Sequence, residues 1–201
     1  MHASGLVSTP EQIRELLRNI DAILLDLDGV LLVRGQPVPR AAEAVARLDA
    51  LGIPYRIATN TSLVGRATLA GFLAQGGIRV APERLVTAAS ATAEWTARRL
   101  AGRPLHLIAS SDAKRELDGQ WLVTADEVRA GARADAVIVG DASHELTLAD
   151  LDVAFLLVRD GARLIAMQRN PWWNSPDGPT LDAGAVVAAL EYATGRRAFL
   201  L

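Results

Sequence analysis

With 201 residues, half of them hydrophobic and none cysteine, the chain can bury one sizeable core or two small ones, and disulfides, thiolate metal sites and cysteine nucleophiles are excluded. A formal net charge of -2, with both signs interspersed, supplies no basic stripe, so neither nucleic acid nor a membrane is expected as a partner. The first residues lack the basic start and apolar centre of a signal peptide, and no apolar stretch approaches ~20 residues, so a cytoplasmic location is expected.

Thr9-Pro10-Glu11-Gln12 reads as a capping box with proline in the first turn, opening a short helix with Ile13, Leu16 and Leu17 on one side. The apolar run Ile23-Leu24-Leu25 then leads into Asp26-Leu27-Asp28-Gly29-Val30, and Ile23 to Leu27 is predicted as the first strand. Gly29 and the Gly35-Gln36-Pro37-Val38-Pro39 stretch predict a loop into a helix bearing Ala41, Ala44, Val45, Leu48 and Leu51, stopped by Gly52. Tyr55 to Thr59 follows as a strand, with Thr61 or Ser62 capping a helix that runs toward Gly76-Gly77. Leu85 to Ala88 is a third strand. From about Arg103 the alternation restarts, with strands at Leu105-Ile108, Trp121-Thr124 and Ala136-Val139, a helix from Leu148 to Arg159 and a strand at Arg163-Met167. Pro171 to Pro179 is predicted as a loop holding Trp172 and Trp173, and Ala183 to Thr194 as an Ala/Val-rich helix closed by Gly195. Short apolar strands alternating with amphipathic helices imply an α/β protein with parallel sheets.

In such a sheet ligands bind at the carboxyl ends of the strands, where both Asp26/Asp28 and Thr59-Asn60 fall. Two carboxylates are hard oxygen donors suited to Mg²⁺, and a hydroxyl with backbone amides at a helix start suits a phosphate oxyanion. Together they describe phosphoryl transfer, one aspartate attacking phosphorus and the other protonating the leaving oxygen. A calcium-loop reading of Asp-Leu-Asp-Gly fails, because the glycine comes too early and no glutamate stands at the twelfth loop position. A dinucleotide-dependent oxidoreductase is disfavoured by the absence of a G-x-G-x-x-G turn.

Asp26-Leu27-Asp28-Gly29-Val30 followed by Thr59-Asn60-Thr61-Ser62 resembles the first two motifs of the haloacid dehalogenase (HAD) superfamily. Ala134 to Gly140, Asp160 to Ala166 and Ala188 to Gly195 extend the resemblance to the type IIA subfamily, with its large cap, nearest the phospholysine phosphohistidine inorganic pyrophosphate phosphatase group. The resemblance implies a Rossmann-like core with an inserted α/β cap: core in 1–90, cap in 91–180, and a return to the core in 181–201. It implies an Mg²⁺-dependent phosphohydrolase acting on a small phosphorylated substrate through an aspartyl-phosphate. Asp26 would be nucleophile and metal ligand, and Asp28 acid/base with its backbone carbonyl on the metal. Thr59 would hold the phosphate by its hydroxyl and Asn60 by its backbone amide. A homodimer through the cap is also suggested. The family's lysine motif and last metal aspartate have no counterpart before Phe199-Leu200-Leu201. A shortened member or fragment is therefore expected, its core C-terminally incomplete, and the competing reading is a truncated, catalytically impaired binding or interaction protein.

Lys114, the only lysine, and Gly140-Asp141 imitate the missing motifs in order, but their surroundings resemble cap strands, which makes Lys114 a helix-surface residue and Asp141 a turn residue. His106 and His144 are read as structural or surface residues, since no second ligand stands at metal spacing. Trp172 and Trp173, near Arg169 and Asn170, suit equally a loop closing over substrate and a surface patch or dimer contact. Arg34 is read as a solvated loop residue in preference to an anion contact.

Overall fold

The computed structural model describes residues 20–175 and 178–201. The helix expected from Thr9 lies outside them. Strand β1 (Ile23–Asp26) leads into a small antiparallel hairpin, β2 (Leu32–Val33) and β3 (Gln36–Pro37). Only a loop was expected there. Arg34 and Gly35 take positive φ of 51° and 73°, the two-residue turn whose twist matches that of paired strands.

Helix α1 (Ala41–Ala50), strand β4 (Tyr55–Thr59), helix α2 (Arg66–Gln75) and strand β5 (Leu85–Thr87) complete a first unit. Its sheet is parallel, in the order β1-β4-β5. Burial alternates along all three strands, so only one face is covered, by Ala41 and Val45 of α1 and Leu69 and Leu73 of α2 around Ile57 and Leu85. The opposite face carries Leu24, which is 71% exposed.

The second unit begins with helix α3 (Ala88–Arg99), then β6 (Leu105–Ile108), the short α4 (Ser111–Lys114) and α5 (Ala125–Arg129), β7 (Ala136–Val139), α6 (Leu148–Arg159) and β8 (Arg163–Ala166). A hairpin, β9 (Trp172–Ser175) with β10 (Gly178–Leu181), α7 (Ala183–Thr194) and β11 (Phe199–Leu200) follow. The sheet is parallel, ordered β11-β8-β7-β6. The β6 and β7 residues are all buried, as continuous apolar strands should be when helices cover both faces. Ala89 of α3 lies in the cluster on one face, and Val153 and Leu157 of α6 with Val187 and Leu190 of α7 lie on the other.

Three expectations need correction. Trp121 to Thr124 forms no strand: Leu122 makes a single bridge to Leu105, and the segment turns at once into α5. The stretch from Pro171 forms a hairpin, Trp172 pairing with Leu181, where a loop was expected. Residues 181–201 do not rejoin the first sheet. Phe199 and Leu200 pair with Ile165 and Ala166, because β8 offers an open edge and α7 buries Val187 and Leu190 against the same sheet. Glu191 fixes this ending by accepting bonds from Arg169 (2.9 and 2.7 Å) and from the Ala198 amide (2.8 Å). Among the described residues no helix is long and apolar enough to cross a membrane.

Candidate functional site

Parallel pairing sets Asp26 opposite Ala58, one residue before Thr59, so the ends of β1 and β4 deliver both motifs to one edge of the sheet. The chain then folds tightly back on itself. The amides of Leu31 and Leu32 both donate to the Leu27 carbonyl at 2.9 Å, and Gly29 donates to the Leu32 carbonyl at 2.7 Å. Gly29 sits at φ 84°, a conformation that would strain any side chain, and this turn presents Asp28 beside Asp26 while Leu27 is buried. The Asp26 carboxylate accepts the Leu27 amide at 2.9 Å.

Asp28's carboxyl is held above the ordinary aspartate range, first by partial burial and then by repulsion from Asp26. A hydrogen bond with the Thr59 side chain pulls in the opposite direction. The buried Thr59 hydroxyl also accepts the Thr61 amide at 3.2 Å, so it is held fast beside the acid pair. Asp26, Asp28 and Thr59 thus lie together, and Asn60 follows, exposed at the same strand end. Among the described residues no group of three or more His, Cys, Asp or Glu side chains could hold a metal. The two carboxylates nonetheless suit Mg²⁺, which commonly takes one or two protein carboxylates and completes its octahedron with water and phosphate oxygens.

The loop that carries Thr59 onward is held by side chains that the sequence did not reveal. Neither Thr61 nor Ser62 caps α2. Its N-cap is Gly65, which makes no side-chain cap, and the caps arrive from the second unit. Asp112 accepts the Gly65 amide at 2.7 Å and the Thr68 hydroxyl at 2.9 Å, and Glu116 accepts the Arg66 amide at 2.6 Å and its guanidinium at 2.9 Å. Two carboxylates at a helix N-terminus satisfy orphan donors and oppose the helix dipole. Ser62 is buried and its hydroxyl accepts the Asp141 amide at 2.9 Å, while the Ser110 hydroxyl donates to the Leu63 carbonyl. Asp141, read from the sequence as a turn residue, is buried. Burial raises its carboxyl's pKa, while the Ser143 amide, bonded at 2.7 Å, pulls it back. No local motif announces partners 47 and 50 residues away. Asp112→Ala is expected to cost about 1–2 kcal/mol, the usual loss for a helix cap. Urea melts of the whole chain would measure it, and an unchanged midpoint would show that the contact across the units contributes nothing.

Comparison with known proteins places this geometry. Residues 23–120 match a family profile described as haloacid dehalogenase-like hydrolase. Haloacid dehalogenase-like hydrolase domain-containing protein 2 of Rattus norvegicus is 32% identical over 184 residues, covering 92% of this chain and 67% of its own length. Among solved structures, a hypothetical protein from Pyrococcus horikoshii superposes with a TM-score of 0.85 at 29% identity, over 90% of this chain and 70% of that one. A glycerol phosphate phosphatase from Mycobacterium tuberculosis in complex with magnesium superposes with a TM-score of 0.78 at 27% identity, over 90% of this chain and 53% of that one. The chain spans about two thirds of the length of the curated relatives it matches. By its acid-pair motif, its two parallel sheets and these similarities, the chain belongs to the haloacid dehalogenase-like hydrolases of type IIA.

Proposed function

We propose that the chain is a phosphohydrolase acting on small phosphorylated substrates, with Mg²⁺ as cofactor and Asp26 and Asp28 as its chemical pair. The observation that carries the reading is the meeting of Asp26, Asp28 and Thr59 at adjoining strand ends, where burial and the neighbouring Asp26 carboxylate push Asp28 toward its protonated form. Such a pair divides into nucleophile and acid. The Asp26 carboxylate attacks phosphorus and forms an acyl-phosphate as the bond to the leaving oxygen breaks. Asp28 gives that oxygen its proton. As a carboxylate it then takes a proton from the water that attacks the same phosphorus, releasing phosphate and restoring Asp26. The Thr59 hydroxyl and the Asn60 amide hold the phosphate oxygens. The carboxylate of Asp26 and the backbone carbonyl of Asp28 would hold the cation, which neutralises charge on the phosphate and the attacking group.

The domain reading that goes with this places the acid pair on a first unit ending at Thr87 and the cap from Ala88 onward, with a homodimer through the cap. The substrate assigned is of the phospholysine, phosphohistidine or pyrophosphate kind, as for the subgroup the motifs resemble. Support for the reaction type comes from the relatives named as phosphatases, one of them in complex with magnesium. Hydrolysis of p-nitrophenyl phosphate by the purified chain, abolished by chelation and restored by added Mg²⁺, is the expected result. Turnover that chelation leaves untouched would sink the cofactor assignment. Phosphate binding without turnover would favour a binding protein.

A further inference from the structure

Between Thr59 and α2 the chain runs from Asn60 to Gly65 with no helix or strand of its own. Its shape is set from the second unit. The Thr61 carbonyl accepts the Ala88 amide at 3.0 Å, the Ser62 hydroxyl accepts the Asp141 amide at 2.9 Å, and the Leu63 carbonyl accepts the Ser110 hydroxyl. Ala88 opens α3, while Ser110 and Asp141 stand just beyond the carboxyl ends of β6 and β7. These two partners are tied to each other, since the Ser110 amide donates to the Asp141 carbonyl at 2.9 Å and the Gly140 amide to the Ile108 carbonyl at 2.7 Å. The loop is therefore seated on the edge of a sheet whose strands β6 and β7 are buried throughout.

Ser62 is where the two units approach most tightly. It is 1% exposed, and a Cβ added at Gly140 would stand 3.3 Å from the Ser62 Cβ, 3.4 Å from its carbonyl oxygen and 2.7 Å from the Met167 sulfur. Gly140 is not among the residues at positive φ, so its missing side chain serves the close approach of the loop and not an unusual backbone. On the other side of Asn60, Thr59 is buried, pairs with Thr87 at the end of β4, and accepts the Thr61 amide on its hydroxyl at 3.2 Å. Asn60, whose amide is assigned to phosphate, is thus held between two fixed points, the strand end at Thr59 and the seat of Ser62 two residues on. Groups that must meet a substrate within a fraction of an ångström depend on such supports.

We propose that Ser62 is a positioning residue for phosphate: through its bond to Asp141 and its contact with Gly140, the second sheet sets where the Thr59 hydroxyl and the Asn60 amide stand. Ser62 acts through its neighbours, because its side chain is buried and its hydroxyl oxygen is engaged by the Asp141 amide. The proposal rests on the phosphohydrolase reading for the identity of the bound group. It goes beyond that reading by making the carboxyl edge of the second sheet a working part of the phosphate clamp on the first.

The test measures binding of inorganic phosphate to the full chain by calorimetry in the presence of Mg²⁺, together with KM and kcat for p-nitrophenyl phosphate. Ser62→Ala is expected to weaken phosphate binding and raise KM by a similar factor, about fivefold or more, and to lower kcat by about tenfold or more, within the ~10²-fold that an ångström of misplacement can cost. Gly140→Ala removes no hydrogen-bonding group but pushes on the loop, so it is expected to act in the same direction, and it decides alone should Ser62→Ala fail to fold. Asp112→Ala loosens the same interface at the start of α2 and is expected to leave phosphate affinity and KM unchanged. A merely structural Ser62 would lower the amount of folded enzyme, and apparent kcat with it, while phosphate affinity and KM stayed at their wild-type values. That result overturns the proposal, as does an Asp112→Ala that weakens phosphate as much as Ser62→Ala. A wild-type chain that binds phosphate without turnover removes the reaction and leaves the binding comparison to decide the role of Ser62. One that binds no phosphate sinks both.

Discussion

Asp26→Asn is expected to lower kcat for p-nitrophenyl phosphate by about four orders of magnitude or more, because the amide cannot form the covalent intermediate and nothing else at the strand end replaces it. Asp28→Asn is expected to lower it by about 10²–10⁴-fold, the usual range for loss of a positioned general acid. The stability effect has the opposite direction. Asp28 keeps its proton to higher pH when folded than when unfolded. Its ionised form is therefore disfavoured in the native state, and it detracts from stability once the pH passes the ordinary aspartate value. Asp28→Asn removes both the burial of charge and the repulsion of Asp26, so the melting temperature at neutral pH should rise, by about 1–3 °C. Steady-state kinetics and thermal melts of the same preparations check both halves. Undiminished turnover in Asp26→Asn would overturn the nucleophile assignment.

Glu191→Ala is expected to be the most destabilising of the substitutions considered, by about 2–4 kcal/mol, since it strands two guanidinium contacts and an amide that a buried carboxylate now satisfies. The Arg169 pair, with the Ala198 amide, holds the Glu191 carboxyl down to about 2 from its ordinary 4.5. A depressed carboxyl contributes stability that is complete above the ordinary value and is lost as pH falls through the folded one. The stability gap between wild type and Glu191→Gln should therefore be constant above about pH 5 and shrink between 4.5 and 2. Chemical denaturation at a series of pH values measures it, and a gap that widens on acidification would contradict the assignment. Gly184 adds a reason why this corner tolerates little change: a Cβ there would collide with the Arg169 and Asn170 carbonyl oxygens, so the start of α7 and the loop pinned by Glu191 fit together by backbone contact.

Where local pattern decides structure, the chain was legible. Leu105–Ile108 and Ala136–Val139 are unbroken apolar strands, and Leu148–Arg159 and Ala183–Thr194 carry clear starts and stops, Gly195 closing the last with φ 66°. The strand ends that carry Asp26 and Thr59, with Asp28 just beyond the first, were legible for the same reason. Helix α3 was not. Its capping box pairs Thr87 with Ser90 in place of the usual acid or amide, and Thr92 and Thr96 turn their hydroxyls back onto their own helix, which blurs the apolar period. The hairpin at Trp172 looked like loop because its strands are short and flank Pro, Asp and Gly. The placement of 181–201 turned on which sheet edge was free to pair, and local sequence carries no such information.

The caps that Asp112 and Glu116 place on α2 have a consequence for the order in which the protein is made. The first unit leaves the ribosome before the side chains that complete it, 47 residues upstream of Asp112 at the Gly65 contact. At typical synthesis rates that interval lasts roughly 2–10 s. Until then the Gly65 and Arg66 amides at the start of α2 have only water in place of the Asp112 and Glu116 carboxylates. Vectorial synthesis thus leaves the chemistry-bearing half waiting on its successor for the carboxylates that cap α2.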